Sequence, residues 1–193
     1  MDQQACRLYP HLHFRELDLH GLELDQVLAE LLPGHYSNAN QAYFDTRRGL
    51  PEQARHGLLE VVITPLEDSS EPGRAFSWRE KGAESRLVLT TSGDDPVGIR
   101  AAFETRQGGR WQPDPARVLR ILRSAGGFTG TGPGGLRLQV SARELWLDPG
   151  NGDPYWLERS REFHCYADIP GVGGGRDLPF QRYDGILLHD QGA

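Results

Sequence analysis

Short apolar stretches separated by turn residues run along most of the chain, and the first of them has the spacing of a helix. In residues 22–32, leucine and valine recur every three or four positions, with acidic residues between them. This spacing predicts an amphipathic helix. Pro33 and Gly34 then end it, because proline cannot continue a helix and glycine tolerates the left-handed cap.

A polar segment follows, and it predicts a second short helix or turn over residues 41–46. Ser37, Asn38 and Asn40 carry short hydrogen-bonding side chains that can cap such a helix. The same side chains can instead line a polar pocket, and the sequence leaves both interpretations open.

Most of the remaining chain predicts strands. Residues 58–65 are rich in β-branched side chains, and residues 98–106 alternate apolar with polar positions. Residues 81–84 predict the turn of a hairpin. In all, strands are predicted over residues 58–65, 75–80, 85–91, 98–106, 136–140, 144–147 and 155–167, with a short one at 186–188.

One further helix is predicted over residues 116–123. Asp114 has the side chain of an N-cap, and Pro115 suits the first helical position. The apolar side of this helix consists of Val118, Leu119, Ile121 and Leu122.

Together these elements predict a mainly β fold, either an antiparallel barrel or a strongly curved sheet, with an N-terminal helix and a second short helix. At 193 residues the chain is expected to form a single domain, with the barrel over residues 21–193 and an extension over residues 1–20. A barrel of about eight strands has room for one small ligand, which is a first link to function.

Composition and charge argue against several classes of function. The net charge is −6 and there is no run of basic residues, which is not typical of a nucleic-acid-binding protein. No stretch reaches the roughly 18 consecutive apolar residues of a membrane span, and the sequence shows no secretory signal. A cytoplasmic protein without nucleic-acid or membrane partners is therefore expected.

Few residues have the spacing of a known catalytic or metal-binding motif. Residues 126–135 contain six glycines but lack the ending of a phosphate loop, which argues against nucleotide binding. Cys6 and Cys165 are too few for a disulfide framework. His11 and His13 share one face of a strand and can chelate zinc, but no further ligand stands at a recognisable spacing. No metal site is predicted, and no Gly-x-Ser-x-Gly elbow indicates a hydrolase.

The polar segment after the first helix resembles the T-type phycobiliprotein lyases, the CpcT/CpeT family. That family has a Gly-aromatic-Ser-Asn-x-x-Gln-Ala sequence, matched here by Gly34, Tyr36, Ser37, Asn38, Gln41 and Ala42. A strand with Pro65 near its end is another counterpart, as is an aromatic strand with Glu80 followed by Arg86. The resemblance covers residues 24–106. The family's Gly-Cys motif is not matched at residues 126–128, nor its Pro-Tyr-Arg at residues 84–86.

The resemblance implies a calycin- or lipocalin-like barrel that binds an open-chain tetrapyrrole, a bilin, and acts as a chromophore lyase. Such a lyase presents the bilin to a cysteine of an acceptor phycobiliprotein, and the thioether forms on the acceptor's thiol. Glu80 is then expected to face the pyrrole nitrogens, and Arg86 to pair with a propionate. No cofactor beyond the bilin is required, and the resemblance suggests a homodimer. The residues expected to bind the bilin are Tyr36, Ser37, Asn38, Gln41 and Trp78.

Each of these residues also has an ordinary structural interpretation. Trp78 can be a core aromatic, Glu80 a solvated residue beside the hairpin, and Arg86 its cross-strand partner. The alternative function is a non-enzymatic barrel that binds a small hydrophobic ligand or a partner protein. A lyase-like site predicts that Glu80 and Arg86 point inward with the aromatics. A plain barrel predicts an interior filled with Leu, Val and Phe and without a cavity.

Overall fold

The computed structural model describes residues 23–66, 74–150 and 153–159, together with the backbone of residues 161–167, 176–183 and 186–187. The chain divides into two compact units. Asp18–Arg159 form the larger unit, and Met1–Leu17 with Ser160–Ala193 form the smaller one. The expectation of one domain over residues 1–193 stays a prediction.

Ten strands of the larger unit form a closed antiparallel barrel. They are β1 Gly34–Ser37, β2 Glu60–Pro65, β3 Arg74–Glu80, β4 Ala83–Ser92, β5 Asp95–Gln107, β6 Arg110–Ser124, β7 Gly127–Thr131, β8 Arg137–Val140, β9 Glu144–Asp148 and β10 Tyr155–Arg159. Each strand pairs with the next one along the chain, and β1 closes the ring by pairing with β10. The predicted mainly β fold, a calycin- or lipocalin-like antiparallel barrel, is therefore confirmed.

Both helices predicted near the N-terminus are present. The first, α1, spans Leu24–Leu31 and buries Val27, Leu28 and Leu31, the apolar side of its pattern. The second, α2, spans Ala39–Arg47. Two short 3-10 turns, Glu52–Ala54 and Pro133–Gly135, lie in the connections.

The interior of the barrel is lined by large apolar side chains from every strand. Residues paired directly across antiparallel strands point to the same face, so the register identifies the inward set. Each of these side chains is no more than 2% exposed: Tyr36, Val61, Ile63, Phe76, Trp78, Leu87, Leu89, Ile99, Ala101, Phe103, Leu119, Ile121, Phe128, Leu138, Val140, Leu145 and Leu157. Burying each of the larger ones stabilises the fold by about 1.5–3 kcal/mol.

The predicted hairpin at residues 81–84 is confirmed, with Lys81 and Gly82 as its two turn residues. Both have positive φ, 49° and 77°, which is the backbone of the tight turns that match the twist of a strand pair. Glu80 therefore pairs with Ala83, and the register of β3 and β4 follows from this turn.

The prediction of a helix over residues 116–123 is wrong, because this segment is the second half of β6. Leu119 and Ile121 lie opposite Ala101 and Ile99 of β5 and point into the barrel. The side chain of Asp114 accepts a hydrogen bond from the N–H of Ala116 at 3.0 Å, as an N-cap residue would. Here, however, the bond closes a local turn and does not begin a helix. That turn lies in a bulge, where the register jumps between Glu104–Pro113 and Ala102–Val118.

The strand predicted over residues 155–167 is two strands in different sheets. Its first part is β10 of the barrel. Its second part, β11 Arg161–Ala167, belongs to a three-stranded antiparallel sheet with β12 Arg176–Tyr183 and β13 Ile186–Leu187. The predicted extension over residues 1–20, with His11, His13 and Cys6, lies outside the described residues.

Candidate functional site

The inward face of the barrel becomes polar toward the end at which β3 turns into β4. Glu80 lies opposite the inward Val61, and Ser85 lies opposite the inward Trp78. Arg117, in the bulged part of β6, reaches the same place, because its Nη2 is 3.7 Å from Glu80 Oε2. The resulting polar cluster consists of Trp78, Glu80, Ser85, Phe103 and Arg117.

The polar cluster joins a carboxylate and a guanidinium to two aromatic rings. The indole N–H of Trp78 donates to Glu80 Oε2 at 2.7 Å, and Arg117 lies 4.0 Å above the ring centre of Phe103. The Phe103 ring in turn meets Trp78 edge to face at 5.1 Å. The side chains of Glu80 and Arg117 are 27% and 26% exposed, so both charges are held by the protein and remain accessible to a ligand.

Arg86 points away from the polar cluster. Its neighbours Ser85 and Leu87 both face inward, and successive residues of a strand point to opposite faces. Its Nε is 2.8 Å from Glu104 Oε2, directly across on β5. The cross-strand pair of Arg86 with Glu80 that the sequence allowed is not formed.

Arg117 is the residue of the polar cluster that the sequence analysis missed. It lies in the segment that was predicted as a helix, and a helix there gives no indication that residue 117 faces the interior of a barrel. Counting back in twos from the inward Ile121 and Leu119 places residue 117 on the same face. The alternation of β6 was therefore the signal that identifies it.

Tyr36 is fully buried where α1 meets the barrel. Its hydroxyl lies 3.1 Å and 3.0 Å from the carbonyl oxygens of Leu31 and Leu32, at the end of α1. Arg159 donates to the same hydroxyl at 2.5 Å and also binds the carbonyl oxygens of Leu31 and Pro33. Burial raises the pKa of Tyr36 to about 12, an effect that the nearby positive charge of Arg159 partly offsets.

Ser37 and Asn38 bind the backbone around the start of α2. The amide of Asn38 donates to Gly57 O at 3.0 Å and its oxygen accepts the N–H of Leu59 at 2.7 Å. The hydroxyl of Ser37 accepts the N–H of Ala39 at 3.2 Å. Asn38 is thus the N-cap residue by position, but its side chain fixes the approach to β2 instead of capping the helix.

Gln41 connects α2 to the start of β10. Its amide nitrogen donates to Pro154 O at 3.0 Å, and its oxygen accepts the N–H of Trp156 at 3.1 Å. Its nitrogen also lies 3.3 Å from Nε2 of His56. The structure therefore places Ser37, Asn38 and Gln41 in a hydrogen-bonded network on the outside of the barrel.

An aspartate–histidine pair, with Asp45 buried and His56 partly exposed, completes this network, and the sequence offered no motif that identifies it. Oδ2 of Asp45 accepts the backbone N–H of His56 at 2.9 Å and lies 2.7 Å from His56 Nδ1. The N–H of His56 contributes most to holding the pKa of Asp45 below its usual range. A His56 ring that donates from Nδ1 to Asp45 and accepts at Nε2 from the Gln41 amide would satisfy both contacts.

A surface cavity of about 300 Å³ adjoins this pair. The His56 ring meets Tyr155 edge to face at 5.4 Å, and Lys81 lies 5.7 Å from the centre of the Tyr155 ring. The cavity is lined by Gln53, Ala54, Arg55, His56, Pro149, Asp153 and Tyr155.

Within the part of the chain that the structure describes, no three His, Cys, Asp or Glu side chains converge as metal ligands. The helices there are also too short or too polar to cross a bilayer. No protein-family model matches the chain, and no curated protein matches it significantly.

Proposed function

We propose that this protein binds an open-chain tetrapyrrole at the polar cluster and presents it to a cysteine of an acceptor protein, as a phycobiliprotein lyase does. The observation that carries the proposal is the meeting of Glu80 and Arg117, on the inward face of a barrel, with Trp78 and Phe103. The resemblance of residues 24–106 to the T-type lyases supports the same choice of ligand.

The chemistry of a bilin fits these groups one by one. Its pyrrole nitrogens are hydrogen-bond donors, and Glu80 offers a carboxylate that Trp78 holds in place. Its propionates suit the planar fork of Arg117. Arg117 thus takes the role that the sequence assigned to Arg86. Phe103 and Trp78 are no more than 2% exposed, so they support Glu80 and Arg117 from the interior and do not themselves meet the pigment.

In the proposed reaction the acceptor's thiol adds across an exocyclic carbon–carbon double bond of the pigment. A sulfur–carbon bond forms, the π bond breaks, and the thiol proton passes to the neighbouring carbon, so no oxidant or reductant is consumed. The role of this chain is to orient the bilin and to shield it from water while it supplies a fixed counter-charge.

Absorbance of added phycocyanobilin tests the binding step. The wild-type protein should give a shifted, sharpened long-wavelength band, and Glu80→Gln and Arg117→Ala should each weaken binding about tenfold or more, the loss of a charge-assisted contact. Arg86→Ala is the matched control, since Arg86 lies on the other face. Loss of binding in Arg86→Ala but not in Arg117→Ala would show that Arg86, and not Arg117, pairs with the propionate.

A second candidate function has its own support in the apolar interior. The inward side chains are mainly Leu, Ile, Val and Phe, which is what the alternative of a non-enzymatic barrel predicts. A spectrum identical to that of free pigment rules out the bilin proposal and leaves this alternative, a barrel for a hydrophobic ligand or a partner protein.

A further inference from the structure

Two of the four tryptophans of the chain lie on the outside of the barrel and stack against each other. Trp146 of β9 and Trp156 of β10 are directly opposite in the register, and their ring centres are 5.7 Å apart. Each follows a fully buried inward leucine, Leu145 or Leu157, so strand alternation turns both indoles outward. Each tryptophan is 36% exposed. Because tryptophan is mostly buried in folded proteins, this exposed pair is a candidate binding surface.

The register extends the tryptophan pair into a row across five strands. Trp146 lies opposite Gln139 of β8, and Gln139 lies opposite Thr129 of β7. Thr129 in turn lies opposite Leu122 of β6. Neighbouring strands are about 4.8 Å apart, so the row is about 19 Å long. This outer row consists of Trp156, Trp146, Gln139, Thr129 and Leu122, with the aromatic rings at one end and smaller side chains along the rest.

Hydrogen-bonding side chains border the aromatic end of the outer row on both sides. On one side Glu144 and Glu158 lie directly opposite each other. On the other side Asp148 lies opposite Arg137. The indole N–H of Trp146 donates to Glu144 Oε2 at 3.1 Å, which holds this carboxylate beside the ring.

These bordering groups determine the hydrogen bonds that a ligand must make. Glu158 is 7% exposed and accepts a hydrogen bond from Asn40 at 2.6 Å. A ligand therefore meets Glu144, Asp148 and Arg137, which are two acceptors and one donor. A hydroxyl both donates and accepts, so it can bind to all three. A proline-rich segment has too few N–H donors for the carboxylates.

The accessible charges near the tryptophan pair balance each other. Glu144 and Asp148 contribute two negative charges, and the exposed Arg137 and Arg143 contribute two positive ones. A surface of this kind gives no net attraction to a polyanion or a polycation. It therefore favours an uncharged ligand that is rich in hydroxyl groups.

An uncharged sugar chain has this chemistry. One face of a pyranose ring consists of C–H groups and packs against an aromatic ring, while the hydroxyls at its rim donate and accept hydrogen bonds. The outer row, about 19 Å long, has room for more than one such ring.

We infer that the outer row binds an uncharged linear oligosaccharide. Trp146 and Trp156 pack against its sugar rings, and Gln139, Glu144 and Arg137 bind its hydroxyls. This inference does not depend on the proposed function, because the outer row lies on the outside of the barrel and the polar cluster lies on the inward face.

Titration calorimetry with cellohexaose, an uncharged glucan, tests the inference, and tryptophan fluorescence gives a second readout of the same binding. Trp146→Ala should weaken binding about tenfold or more, the effect of removing an aromatic anchor. Gln139→Ala should weaken it about fivefold, the effect of one hydrogen bond. Tyr43→Ala is the matched control, since Tyr43 is an aromatic residue that is 50% exposed on α2.

Gln139→Ala keeps the test decisive if Trp146→Ala unfolds, because Gln139 is exposed and its replacement leaves the tryptophan pair intact. A wild type that binds none of cellohexaose, maltohexaose and chitohexaose overturns the inference. Equal affinity of the wild type, Trp146→Ala and Gln139→Ala for the glucan also overturns it. Salt-sensitive binding of an oligolysine peptide, without binding of any of the three sugars, would make a cationic protein segment the occupant.

Discussion

At the residue scale, Tyr36 and Arg159 meet where α1 joins the barrel. The hydroxyl contacts two carbonyl oxygens of the helix end and the guanidinium, and the ring is fully buried. Unpaired carbonyls at the end of a helix need such partners when water cannot reach them. The contacts explain why a bulky polar side chain is tolerated in an interior of Leu, Ile and Val.

The raised pKa of Tyr36 predicts a loss of stability in alkaline solution. The neutral hydroxyl is favoured in the folded state, so its contribution is complete below pH 10 and is lost as pH rises toward about 12. The loss can reach about 3 kcal/mol for a shift of two pKa units. Urea unfolding between pH 8 and 11.5 should therefore show a steeper decline for the wild type than for Tyr36→Phe.

Tyr36→Phe should itself be less stable at neutral pH by about 1–3 kcal/mol, since its buried partners lose a hydrogen bond. Tyr43→Phe is the control, because Tyr43 is half exposed and should leave both the neutral stability and the pH profile unchanged. A Tyr36→Phe protein that follows the wild-type pH profile contradicts this account.

The residues of the polar cluster were only partly predictable. Trp78 and Glu80 were identified from the sequence, and they do lie on one face because two positions separate them. Arg86 was assigned to the same site from the resemblance to the T-type lyases. With a turn of either two or four residues after Glu80, strand alternation places position 86 on the opposite face. The sequence thus held the information that separates Arg86 from the polar cluster.

At the scale of elements, β6 shows why apolar spacing alone can mislead. Val118, Leu119, Ile121 and Leu122 fit one side of a helix, yet Leu119 and Ile121 also fit one face of a strand. Asp114 and Pro115 added the signal of a helix start. Leu119 and Ile121 pair with Ala101 and Ile99 of β5, and this pairing makes the segment a strand. A local apolar pattern contains no information about a partner strand.

The β3–β4 turn gives a prediction that depends on backbone conformation alone. Gly82 has φ +77°, and a Cβ there would have nothing within 4 Å. Gly82→Ala should still cost about 1–2 kcal/mol, because the left-handed region is strained for residues with a Cβ. Thermal or urea unfolding measures the loss.

Gly57→Ala provides the matched control for the turn. Gly57 also has nothing within 4 Å of a built Cβ, and its φ lies outside the left-handed region. This substitution should be neutral or should stabilise by about 0.4–1 kcal/mol, since alanine restricts the unfolded chain. Equal losses at positions 57 and 82 contradict an origin in the turn conformation.

At the scale of the whole molecule, the barrel class followed from the sequence but its closure did not. Regularly spaced apolar stretches predicted an antiparallel array, and the turn after Glu80 was correctly located. Closure depends on β1, a strand of four residues within the segment that was interpreted as a polar turn. Its pairing with β10 joins positions more than 100 residues apart, and local periodicity contains no information on such contacts.

The closing pair of β1 and β10 also determines how this barrel can meet other molecules. A sheet that ends in an open strand offers a row of backbone N–H and C=O groups to any passing chain, and such edges drive strand exchange and fibril growth. The ring of ten strands has no such edge. Association through the barrel must therefore rely on side chains, whose recognition depends on shape and charge, and not on the indiscriminate pairing of backbones.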